Sequence, residues 1–263
     1  ALRRIAEAFV GARRDAGSLA AYPGSPPANL DTAYRIQDFA IDLWPDNVAG
    51  WKVGRIPPAL EAEVGCDRLA GPIFKESIRF QEDGGGHDMP IFTGGFAAVE
   101  AEFVAVIRDD APEKKREWTR EEAAAMIGEL RIGLEVASSP LGAINDLGPA
   151  VTASDFGDIA GLIVGPPIDG WAARDPETMT CASFGDGALV GEGGAYRLTG
   201  GVTRSVQFML ELAASRRRPL KSGDLVATGQ TSGIHDVTAG QSARIVFGGD
   251  GEISCTLVPA GVG

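Results

Sequence analysis

Seven short apolar runs follow one another from residue 48 onward: VAGWKVG, AAVEAEFVAVI, LRIGLEVAS, AGLIVG, GDLVATG, SARIVFGG and EISCTLV. Each is bounded by glycine, proline or polar turn residues, the punctuation of β-strands. Two helical patterns interrupt them. TREEAAAMIGEL starts with Thr119 and Glu122 in capping-box positions, and GVTRSVQFMLELAASRR carries Val202, Val206, Met209, Leu210 and Ala213 at helical spacing. Strands that outnumber helices without alternating with them point to an α+β protein on a mixed or antiparallel sheet, not to a doubly wound parallel one. The 36 glycines, about twice the ordinary share, supply the tight turns such a fold needs.

Two helices are expected ahead of the strands. The first carries Leu2, Ile5, Phe9 and Val10 on one face; the second, residues 31–44, is capped by Asp31 and stopped by Pro45. AYPGSPPANL joins them as an ordered connection or a mobile lid. The chain therefore divides into an N-terminal helical segment, 1–47, and a β-rich domain, 48–263. No apolar run approaches the roughly 20 residues of a membrane span, and the amphipathic opening is not the continuous core of a signal peptide, so the cytoplasm is the expected compartment.

A formal net charge of -12 repels phosphate backbones and argues against nucleic-acid binding. The one basic run, Arg216 to Arg218, is expected to complement a helix C-terminus. Cys66, Cys181 and Cys255 are odd in number and far apart, which suggests neither a disulfide framework nor a zinc cluster. No nucleotide-binding glycine motif, H-E-x-x-H or G-x-S-x-G occurs.

Within AAVEAEFVAVI, Glu100 and Glu102 interrupt an apolar strand. Residues two apart on a strand share a face, with Cα atoms roughly 6.5 Å apart, so both carboxylates project together while Val99, Ala101 and Phe103 face the other way. A half-exposed strand accounts for such a pair; so does a pocket in which a raised pKa or a bound cation relieves the repulsion. Glu135, in another β run, is a third acid flanked by residues pointing away. Three carboxylates with water in the remaining positions suit Mg²⁺ or Mn²⁺. Lys52, alone in GWKVG, either snorkels or serves a pocket; beside a metal its proton affinity would be lowered, which suits acid/base work.

The ordered set GWKVG, GPIF, VEAEFVAVI, GLEVASS, SGDLVATG and GGDGEISCTLV resembles the 2-keto-4-pentenoate hydratase and 4-oxalocrotonate decarboxylase branch of the fumarylacetoacetate hydrolase superfamily, from TAYRIQ near the start to the last strand. The resemblance implies a mixed β-roll with flanking helices and an acid-lined divalent metal site. It places the metal ligands on Glu100, Glu102 and Glu135, the active-site lysine on Lys52, and the acid after GPIF on Glu76 as a second catalytic candidate. Thr228 and Gly229 are implied to hold the substrate carboxylate, and Asp155 matches the acid of the family's A-D-N segment. The implied enzyme is a Mg²⁺- or Mn²⁺-dependent lyase of a small 2-oxo acid from aromatic ring cleavage. A hydratase is the first expectation and a 2-oxo-3-enedioate decarboxylase the second; a noncatalytic member serving as a binding or assembly subunit is the alternative of another class. A homo-oligomer is expected, with association with a pathway partner enzyme conceivable.

The chain departs from the family pattern in places. Arg55, Ile56, Pro57 and Pro58 replace L-T-S-P after the lysine motif, Phe156 stands where Asn follows the Asp, and Asp158 replaces a nearby serine. These changes bear on substrate identity, since Arg55 can pair with a second carboxylate of a dioic substrate. Neither histidine lies where a hydrolase of the acylpyruvase type would carry one. His87 is expected in a solvated loop, and His235 is a minor catalytic candidate at the pocket mouth.

Overall fold

The computed structural model describes residues 1–81 and 85–261. Gly84, in the glycine run ahead of His87, lies outside them. Helix α1 (Leu2–Arg14) turns Ile5, Ala6, Phe9 and Val10 inward at three- and four-residue intervals. Helix α2 (Leu30–Leu43) is capped by Asn29, whose side chain accepts the Thr32 backbone N–H, and it ends where Trp44 becomes extended ahead of Pro45. The cap therefore lies two residues before the expected Asp31, which sits in the first turn, where its charge favours the helix N-terminus.

Strand β1 (Val48–Arg55), a short α3 (Pro58–Val64), β2 (Arg68–Phe74), β3 (Ile78–Phe80) and β4 (His87–Ile91) lead to the long β5 (Phe96–Ile107). Helix α4 (Arg120–Ala125) has the expected Thr119–Glu122 capping box but ends early, because Ile127 and Leu130 pair with Ile107 and Ala105 in β6 (Ile127–Ser139). Then come α5 (Pro149–Ser154), β7 (Ile159–Pro167), the hairpin β8 (Thr180–Gly185) and β9 (Ala188–Gly194), and α6 (Gly201–Ser215). Strands β10 (Leu225–Ala227), β11 (Ile234–Asp236), β12 (Ser242–Val246) and β13 (Glu252–Pro259) close the chain.

The larger sheet runs β2-β1-β10-β5-β6-β7-β3, with β11 also paired to β5; the smaller runs β4-β13-β12-β8-β9. Both are mixed: β1–β10, β3–β7 and β4–β13 are parallel. The odd-numbered side chains of β5 enter the core toward the smaller sheet, where Phe103 meets Phe247 edge to face at 5.6 Å. Helix α6 lies on β1, β5 and β10. Its trailing Arg216 and Arg218 do not serve the helix end as expected from sequence; they pair with Asp38 and Asp42 of α2. The chain thus adopts the mixed α+β roll expected from its sequence.

Candidate metal centre and active site

The long β5–β6 pairing sets Glu100 directly opposite Glu135, with Glu102 opposite Gly133 one step along the same face. All three glutamates are buried: Glu100 is 6%, Glu102 1% and Glu135 0% exposed. Strand β10 stands between β1 and β5 but stops at Ala227, and the chain turns away at Thr228 and Gly229. Gly229 has φ 120°, a conformation open to glycine, and its N–H donates to Glu102 Oε2 at 2.7 Å.

Lys52 of β1 reaches into the same region. Its Nζ lies 2.9 Å from Asp158 Oδ1 and 2.8 Å from Glu135 Oε1. The contact with Asp158 is a hydrogen bond; that with Glu135 is an ion pair without hydrogen-bond geometry, which leaves both Glu135 oxygens buried without a hydrogen-bond partner. Asp158 arrives on a turn of three successive left-handed residues, Phe156, Gly157 and Asp158. The turn packs against Gly71, the cross-strand partner of Lys52, where a Cβ would fall 1.8 Å from the Phe156 carbonyl oxygen. Glycine at position 71 is therefore what lets Asp158 come up to the lysine.

Four buried carboxylates face one buried ammonium, and the three glutamates record the imbalance in their proton affinities. Burial, with Glu135 and Asp158 nearby, pushes Glu100 up to about 8 against the pull of Lys52. Burial and the other two glutamates hold Glu102 well above the carboxylate range despite the Gly229 N–H. Burial also raises Glu135, outweighing its lysine. For Lys52, burial disfavours the charged form, but Asp158, Glu135 and Glu100 outweigh it and raise its pKa. The lysine is itself the counter-charge of this cluster.

Among the described residues, no three His, Cys, Asp or Glu side chains form a finished cation cage. The donors nevertheless suit a hard divalent ion: they are carboxylate oxygens, they carry surplus negative charge, and Glu135 has buried oxygens without hydrogen bonds.

The cavity beside this cluster measures about 220 Å³ and is lined by Lys52, Glu100 and Asp158 together with apolar Ile56, Leu60 and Ile234. Arg55, exposed and 3.6 Å from Glu61, stands at its edge. A second cavity of about 370 Å³ shares Arg55 and Gln230 with the first and adds Arg68, Arg197, Thr228 and Gly229.

Three expected residues stand elsewhere or are otherwise engaged. Asp155 lies behind the sheet, where Arg13 Nε and Nη2 donate to its two oxygens at 2.6 and 2.9 Å and Ser139 Oγ donates at 2.6 Å. Every charge there is answered within the fold, so Asp155 fixes α1 to the roll and Asp158 is the acid that meets the lysine. Glu76 is exposed and lines a separate cavity with Trp44, Phe74 and Phe156. The Thr228 hydroxyl donates to the Phe103 carbonyl at 2.8 Å, so it anchors the turn and only the Gly229 amide faces the carboxylates.

Neither histidine enters the cluster. His235 pairs with Val99 rather than Glu100 and therefore points to the opposite face, with Nε2 3.5 Å from Ser232 Oγ. His87 lies in β4, half-buried, with Nε2 3.2 Å from the Phe80 carbonyl, instead of in a solvated loop. Sequence reasoning missed Arg68, Arg197 and Gln230. Asp158 was visible only as an acid replacing a serine.

Comparison with solved structures identifies the architecture. Over 98% of this chain and 97% of theirs, two structures of 4-oxalocrotonate decarboxylase from Pseudomonas putida G7 superpose with TM-scores of 0.80 and 0.78, at 18% and 19% identity. The first is complexed with magnesium and adipate, the second with calcium and acetate. The chain has the fumarylacetoacetate hydrolase fold. Within that fold, fumarylpyruvate hydrolase from Pseudomonas aeruginosa, complexed with Mn²⁺ and pyruvate, matches less closely, with a TM-score of 0.60 and 19% identity over 80% of this chain and 88% of that one. In sequence, the chain is 26% identical over 238 residues to 2-keto-4-pentenoate hydratase from Burkholderia vietnamiensis, covering 88% of this chain and 87% of the relative. No family model matches. Among the described residues no helix is long and apolar enough to cross a membrane.

Proposed function

We propose that this chain is a divalent-metal-dependent lyase of small 2-oxo acids, a hydratase of the 2-keto-4-pentenoate type. The observation that carries the reading is the buried surplus of carboxylates around Lys52, and the 26% identical hydratase supports the substrate class. Glu100, Glu102 and Glu135 would hold the cation, with Mg²⁺ or Mn²⁺ favoured by the all-oxygen donor set. When bound, such an ion supplies Lewis-acid stabilisation of negative charge on the 2-oxo oxygen.

The chain's own residues do the rest. The Gly229 N–H fixes the Glu102 carboxylate. Lys52, held between Glu135 and Asp158, carries protons to and from the substrate carbon chain at Nζ. Ile56, Leu60 and Ile234 hold the hydrocarbon part and restrict water. A decarboxylase acting on a 2-oxo-3-enedioate is the second reading, favoured by Arg55 at the cavity edge and by the whole-chain likeness to 4-oxalocrotonate decarboxylase.

Turnover of 2-hydroxypenta-2,4-dienoate, followed by loss of dienol absorbance with Mg²⁺ present, tests the proposal. CO₂ release from 2-oxohex-3-enedioate distinguishes the second reading. Lys52→Met is expected to lower turnover about 10²- to 10⁴-fold while calorimetry still shows Mg²⁺ binding. Unchanged turnover would remove the lysine from the mechanism, and inertness of the wild-type protein toward both substrates would refute the lyase.

A further inference from the structure

The second cavity reverses the electrostatics of a chain of net charge -12: three arginines line its space of about 370 Å³, and no Asp or Glu does. Arg55 comes from β1, Arg68 from β2 and Arg197 from the turn after β9. Arg204 of α6 adds a fourth cation, 3.7 Å from the Asp67 carboxylate that also pairs with Arg68. Glu61, 3.6 Å from Arg55, is the other acid within ion-pair distance of these arginines among the described residues. Four guanidinium groups thus share two carboxylates, an excess of two positive charges.

Arg68 is pinned. It is 4% exposed, and its guanidinium donates to Asp67 and to the Thr199 carbonyl. Burial lowers its pKa against the pull of Asp67, and Arg204 and Arg55 add to the lowering, as crowded cations do. The other donors are free. Among the described residues the guanidinium groups of Arg197 and Arg55 donate to no protein acceptor, and Gln230 accepts the Gly233 N–H at Oε1, which leaves its NH₂ without a partner.

The cavity stands apart from the proposed seat of the 2-oxo acid. Val53 and Arg55 alternate with Lys52 along β1 and so belong to the opposite face of that strand. Thr228 and Gly229 wall the cavity, but the hydroxyl of the first is given to the Phe103 carbonyl and the amide of the second to Glu102. The arginines are what remains to hold a ligand.

Two surplus positive charges, presented as forked donors from three elements, suit a dianion with several acceptor oxygens. An esterified phosphate carries about 1.5 to 2 negative charges near neutral pH on three such oxygens, whereas a carboxylate offers one charge on two. Apolar Val53 and Leu198 lie beside the charges, where a small organic body can rest. We propose that this cavity binds the phosphate group of a small phosphomonoester, with Arg197 and Arg55 as its free donors and Arg68 as a fixed positive charge.

Calorimetry on the metal-free protein at about pH 7.5 tests it, because no bound ion is then present to take up phosphate. Glycerol 3-phosphate and inorganic phosphate share the recognised group; malonate is a dicarboxylate of similar charge. The wild type is expected to bind glycerol 3-phosphate at one site, roughly tenfold or more tighter than malonate, the worth of a charge-assisted contact, and more tightly than inorganic phosphate. Arg197→Gln and Arg55→Gln, both at exposed side chains, should each weaken that binding by about fivefold. Adding Mg²⁺ and oxalate together should leave it within about twofold. No binding, malonate bound equally well, or an affinity that survives both substitutions overturns the proposal. Tighter binding of inorganic phosphate would make this a free-phosphate site and overturn the monoester. Displacement by Mg²⁺ and oxalate would put the anion at the glutamate cluster and overturn the cavity as its seat.

Discussion

Asp155 and Asp158 lie three residues apart and are both buried, yet they belong to opposite kinds of ion cluster. Around Asp155 there is one acid and one arginine, and the guanidinium also donates to the carbonyls of Ser138 and Ile159. Around Asp158 there is one lysine for four acids, and Glu135 has two oxygens without hydrogen bonds. A balanced, saturated cluster fastens one part of a fold to another; its loss is felt as stability. An unbalanced one costs stability, since burying a carboxylate without a counter-charge costs several kcal/mol, and it is retained for a ligand that supplies the missing charge.

The contrast can be broken from either side. Arg13→Ala leaves Asp155 buried without its partner and should cost about 3–5 kcal/mol in denaturant unfolding, with no change in Mg²⁺ affinity. A loss below 1 kcal/mol would mean that the pair is not what ties α1 to the sheet. Glu102→Gln removes a negative charge from the crowded cluster. Its Mg²⁺ affinity should fall about a hundredfold, at the upper end for changes around a metal site, while the metal-free protein melts no lower than the wild type. Full retention of affinity would refute the ligand assignment.

A pH series sharpens the comparison further. Folded Glu100, Glu102 and Glu135 bind protons more tightly than an unfolded glutamate near 4.3, so the stability they allow is present at low pH and lost as pH rises. For Glu100 this loss is complete at about pH 8, and Lys52, also raised, titrates above it. The melting temperature of the metal-free protein should therefore fall between pH 5 and 8, and saturating Mg²⁺ should flatten that slope. A melting curve insensitive to pH without metal would contradict the crowding. The smallest effect is expected at Glu76. Exposed and in another cavity, it should change turnover by less than about twofold on conversion to Gln, within the range of surface substitutions.

The fold was legible where period and punctuation agreed. The seven β runs and the main helices stand where the alternation and spacing put them, and α4 stopped short because strand pairing of Ile127 and Leu130 overrode a helical pattern. The carboxylates were legible because two acids inside an apolar strand are costly enough to need a reason. Which aspartate meets Lys52 was not legible: Asp155 and Asp158 flank the same short turn, and only the left-handed course of Phe156 to Asp158 sends one to the arginine and the other to the lysine. The arginine cavity was hidden for another reason. Its members come from three separate elements, and nothing local to Arg68 or Arg197 distinguishes them from surface arginines until the sheet and the turn after β9 bring them together.

The most direct measurement is a crystal structure of the protein grown with Mg²⁺ and oxalate. The account predicts one ion at about 2.0–2.1 Å from an oxygen of each of Glu100, Glu102 and Glu135, with oxalate on its open side and Lys52 still held by Asp158. An ion bound elsewhere, or glutamates that remain apart with Lys52 as their sole counter-charge at saturating Mg²⁺, would contradict it.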